Sequence, residues 1–85
     1  MPPPLTSAQI RAARALIRWT AEDLARHSSV GVTTIRRAEL MPSATVMTRA
    51  NDQAIRRVLE QAGVEFIDAN KGGPGVRLRA PPPEI

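Results

Sequence analysis

The chain has no cysteine, no tyrosine, one tryptophan, one phenylalanine and one lysine among its 85 residues. The absence of cysteine excludes disulfide staples and thiolate metal sites. The near absence of aromatic side chains removes the stacking platforms with which proteins hold single-stranded nucleic acid. No apolar run approaches the roughly 20 residues that span a membrane. The opening MPPPLTSAQ has neither a basic start nor an apolar core, and so does not read as a signal peptide. A cytoplasmic protein is expected. No nucleophile paired with a base, no metal set and no cofactor loop stands out, so neither an enzyme nor a cofactor is expected.

The charge that is present is unevenly placed. Seven arginines face three acids (Glu22, Asp23 and Glu39) in residues 1–50, whereas residues 51–85 hold five bases and five acids. The whole net charge of +4 therefore belongs to the first part of the chain. Such a concentration suits a polyanion. Arginine supplies all but one of the basic residues, and its fork fits phosphates and guanines better than an ammonium does.

Four helical segments are readable. Thr6 and Gln9 form a capping box before a helix over about Ser7–Ile17, with Ile10, Ala13, Leu16 and Ile17 on one face. Thr20 caps a second helix whose first turn carries Glu22 and Asp23, which suit its positive end. Leu24 and Ala25 of that helix face inward, Ser28-Ser29-Val30 makes a turn, and a third helix covers about Val32–Ala38 with Ile35 as its anchor. Pro42 and Ser43 make Leu40–Met47 a connecting loop. A fourth helix starts at about Thr48 or Asn51, carries the stripe Ile55, Val58, Leu59 and Ala62, and stops at Gly63. VEFID and GVRLR then alternate as strands do, around a turn cluster of Asn70 to Gly75. An isolated hairpin is marginal in water, so this one must pack on the helices or pair with its own copy. Self-association is expected through the hairpin, with Phe66, Val76 and Leu78, through the fourth helix, or through both. The domain plan is a proline-rich lead (1–4), a helical domain (5–62), the hairpin (63–79) and a flexible end (80–85).

Two short helices joined by a tight turn can lay the second in the DNA major groove while the first crosses the backbone. Gly31, Val32, Thr33 and Thr34 are small enough to let the entering helix approach base edges. Threonine can bond a base or press its methyl on thymine, and valine can only press. Arg36 follows Val32 by four residues, and Arg37 follows Thr33 by four; either can reach a guanine or a phosphate. Candidate phosphate contacts are Thr20 and the backbone N–H groups opening the second helix, beginning at Ala21, together with Arg18, His27 and Arg49. Trp19 reads as a plug between the first two helices or, alternatively, as a stacking platform. Arg56 and Arg57 read as a solvated face that a dimer or flanking DNA could also use. A lone histidine is no metal site.

The stretch WTAEDLARHSSVGVTTIRRAE resembles the Xre/Cro-type, lambda-repressor-like helix-turn-helix of bacterial and phage regulators. The likeness covers about Leu5 to Leu59. The tail AIRRVLEQAGVEFIDANKGGPGVRLR is similar to the ending of many small alphaproteobacterial regulators of this group. The resemblance implies a mainly α fold, a helix-turn-helix bundle of about four helices, here with a C-terminal β-hairpin. It also implies a transcriptional repressor acting as a homodimer on double-stranded DNA. By position, Val32, Thr33 and Arg36 would face bases with Thr34 and Arg37 beside them, and Arg14 would pair with Glu39. The chain departs from the family pattern at Ala21 (usually glutamine), Ser29 (usually glycine), Gly31 (usually serine or threonine) and Ala38 (often aromatic). The alternative reading is a module that binds a protein partner, such as an antitoxin or antiactivator on a mobile element.

Overall fold

The computed structural model describes residues 3–41, 47–70 and 72–79. Each of its elements begins or ends for a local reason. Helix α1 (Ser7–Ile17) opens on a capping box: the Gln9 N–H donates to Thr6 Oγ1 at 3.1 Å, and the Thr6 N–H donates to Gln9 Oε1 at 3.0 Å. It ends at Arg18, which takes the left-handed conformation. Helix α2 (Ala21–Ser28) repeats the device with Thr20 and Asp23. Its first-turn acid thus does more than face the helix dipole, since the Asp23 carboxylate also accepts the Thr20 N–H at 2.9 Å.

Ser28 shapes the turn that follows. Its buried hydroxyl donates to the Leu24 carbonyl at 2.7 Å and accepts the Val30 N–H at 3.2 Å. Ser29 then takes a φ of 61°, the left-handed region where glycine would be easier. Helix α3 (Val32–Glu39) runs one residue past the expected end. Helix α4 (Arg49–Gln61) starts behind Thr48, whose hydroxyl accepts the Asn51 N–H. Gly63, with a φ of 107°, turns the chain out of α4. The expected loop of residues 40–47 lies mostly outside the described residues, as do the expected flexible end and the start of the lead.

Strands β1 (Val64–Ile67) and β2 (Gly75–Leu78) form an antiparallel hairpin with Val64 opposite Leu78 and Phe66 opposite Val76. Those four side chains share one face, since strand residues alternate. That face is turned onto the helices, and Phe66 and Val76 pack against the core. Two bonds tie the far end down: the Gln9 amide donates to the carbonyls of Ile67 at 3.2 Å and Gly75 at 3.1 Å. Of the residues expected to bind a second copy, Phe66 and Val76 therefore pack on their own helices, and Leu78 is half-buried on the same face. Glu65, Ile67 and Arg77 face outward, with Glu65 and Arg77 paired.

One core unites these elements. Leu5, Ile10, Leu24, Ile35, Ile55, Leu59 and Val64 are fully buried, so every helix and β1 contributes. Each such side chain gains about 1.5–3 kcal/mol from leaving water. The N-terminal segment is held on α4, where the Leu5 N–H donates to Asp52 and Arg56 donates to the Pro3 carbonyl. Arg56 also lies over the Phe66 ring, 5.2 Å from its centre, so it is not a plain solvated charge. The architecture is the expected mainly helical bundle with a C-terminal hairpin. Among the described residues no helix is long and apolar enough to cross a membrane.

Candidate nucleic-acid interface

The face that α3 turns outward follows from its own periodicity. A helix advances about 100° per residue. Ile35, Ala38 and Glu39 are buried and fix the inner side. Thr33, Arg36, Arg37 and Leu40 then fall on the opposite side, and all four are exposed. Val32 and Thr34 lie at the margins. Val32 packs partly against the core, so only part of its side chain can meet a ligand, which the spacing from Arg36 did not disclose. Thr34 and Arg37 share a shallow cleft with Ala38 and Met47.

An ion pair fastens this helix from below. The Arg14 Nε and Nη2 donate to the two Glu39 oxygens at 2.7 and 2.8 Å, and Nη1 donates to the Trp19 carbonyl at 2.9 Å. The hydrogen bond to Glu39 raises the Arg14 pKa against the effect of burial, and the carboxylate charge adds to the rise. The pair expected from the resemblance is thus present. It joins α1 to the end of α3 and to the segment entering α2, which fixes the angle at which α3 stands out.

The candidate phosphate contacts divide into groups. At the start of α2, the Thr20 N–H and hydroxyl oxygen are both committed to Asp23. The Ala21 side chain is buried, which leaves its backbone N–H as the group it can offer. Hydrogen bonds from Thr20 hold the Asp23 carboxyl below its ordinary range, and Arg26 adds to the effect. A negative charge therefore already sits at this helix end. Arg18 is exposed at the close of α1. Arg49 is exposed at the start of α4, two residues after Met47, which lines the cleft of Thr34 and Arg37.

His27 belongs to another part of the surface. Its ring stacks on Trp19 at 4.4 Å between centres and 13° between planes. The two line a groove with Val58, Gln61 and Ala62 of the α4 end. Trp19 is accordingly half-buried, packed against the core and stacked on His27.

Two residues of the exposed region escaped the sequence reading. Arg11 lines a surface depression with Arg36, Glu39 and Leu40. The signal for it was the arginine stripe of α1, in which Arg11 stands three residues before the inward Arg14. Glu22 is the other, because Arg36 Nη2 donates to its carboxylate across the turn. Fourteen residues separate the two, and no local spacing rule joins them. Among the described residues no group of three or more histidines and acids could hold a metal ion. In comparisons with known proteins, no family model and no curated protein matches this chain.

Proposed function

We propose that this chain is a double-stranded DNA-binding transcriptional regulator of the Xre/Cro type that reads sequence with α3 in the major groove. One observation carries the reading. The outer face of α3 presents Thr33, Arg36 and Arg37 behind a tight turn, in the part of the chain that holds all the excess positive charge. Short polar residues and forked cations are what base edges and flanking phosphates take up. Arg11, which lines a depression with Arg36 and Leu40, adds a cation beside that face. Repression, by covering a promoter that includes its own, is the simplest action for a DNA-reading domain. It would act in the cytoplasm, on the nucleoid, without a cofactor and without enzymatic activity.

The test is duplex binding of the purified protein to its own upstream region and to a scrambled control, at two salt concentrations. Tight binding to the native sequence that persists at the higher salt is expected. Weak binding to both that collapses with salt would leave only a basic surface, and the search would turn to a protein partner.

A further inference from the structure

Resting on that reading, we infer that Glu22 is a positioning residue for Arg36, one that favours base readout and penalises phosphate capture. The two side chains are paired but wet, 60% and 56% exposed, so the pair has little to do for stability. The other two acids of this region are committed elsewhere. Glu39 takes both its oxygens to Arg14, and Asp23 closes the α2 cap and pairs with Arg26. Of these three acids, Glu22 is the one paired with an arginine of the exposed face of α3.

The contact uses Nη2 of Arg36, and among the described residues neither Nη1 nor Nε has a partner. A guanidinium held by one nitrogen can still turn its outer edge to the O6 and N7 of a guanine. A phosphate approaching the same guanidinium meets the Glu22 carboxylate at close range, and like charges repel. Arg37, by contrast, has no acidic partner among the described residues and suits the backbone. Glu22 therefore separates the two adjacent arginines into a base reader and a phosphate holder.

Glu22→Gln tests this, because it keeps the size and removes the charge. Binding to the native and scrambled duplexes is measured across a salt series, in the wild-type and Arg36→Ala backgrounds, with thermal melts alongside. On the scrambled duplex, Glu22→Gln is expected to bind about fivefold tighter, with a log–log salt slope steeper by about 0.9 as Arg36 gains one phosphate. Affinity for the native duplex changes little, so discrimination falls. The melting temperature stays put, and the change in slope vanishes without Arg36. An equal gain on both duplexes, an unchanged slope, or the same gain in Arg36→Ala would overturn the proposal. If the wild type itself fails to distinguish the duplexes, the regulator reading falls and takes this inference with it. If the wild type discriminates and Glu22→Gln discriminates equally well, this inference alone falls.

Discussion

Ser29 is the residue at which this turn is least comfortable. Its φ of 61° costs an L-residue about 1–2 kcal/mol. The side chain is exposed, so nothing is lost by removing it. Ser29→Gly is expected to stabilise the fold by about 0.5–1 kcal/mol, less than the full relief because glycine also loosens the unfolded chain. A thermal melt would register this as a rise of several degrees. The Arg14–Glu39 pair predicts the opposite sign. Glu39 is 9% exposed, and removing Arg14 leaves its charge without a partner. Arg14→Ala is therefore expected to cost about 3 kcal/mol in denaturant unfolding, and Arg14→Met with Glu39→Leu distinctly less. Equal costs for the single and double variants would mean that packing, not the orphaned charge, is at stake.

Between elements, Gln9 is the bridging side chain. It closes the α1 capping box and holds the hairpin end through two carbonyls. Gln9→Ala should lower stability by about 1–2 kcal/mol and speed amide exchange in β1 and β2 more than in α2 and α3. Uniform acceleration would mean that the hairpin opens only with the whole domain. The α2 cap carries a pH signature. The Asp23 carboxyl titrates below its ordinary 3.8 because the folded state bonds its charged form. Its contribution is thus complete above about pH 4 and is lost as pH falls through the lowered value. The exposed Glu65–Arg77 pair moves in the same direction. Chemical shifts at the start of α2 should follow that titration, and Asp23→Asn should abolish it. The Thr6–Gln9 box and the Thr20 cap were legible in the sequence, because a capping residue and its partner stand three apart. The bond from Thr20 back to Asp23 was hidden by the other reason for an acid there, the helix dipole. Ser29 was legible too, as the non-glycine in a turn that wants one. The Gln9 bridge, the Trp19–His27 stack and the Glu22–Arg36 pair were not. Each joins residues on different elements, and their meeting depends on how those elements dock.

For the whole molecule, the outer face of α3 is small. Its four exposed side chains are fewer than a useful degree of specificity requires, so two copies on a pseudo-palindrome are expected. Val64, Phe66 and Val76 of the hairpin pack on their own helices, whereas Ile67 faces outward, so pairing through the hairpin is expected to use the strand edges. Among the described residues no further strand borders either outer edge of the two-stranded sheet, and such edges can extend a sheet to a second copy. A dimer that set both α3 helices on one side of the duplex would hold them at a fixed separation. Half-sites then lie about 34 Å apart, one turn of DNA. Inserting about five base pairs between them turns one half-site to the far side of the helix, whereas inserting about ten restores the phase. Operator affinity should therefore fall sharply with the first insertion and recover in part with the second. Affinity indifferent to both insertions would mean that each copy binds alone, and the contacts of one α3 would then have to carry all the discrimination.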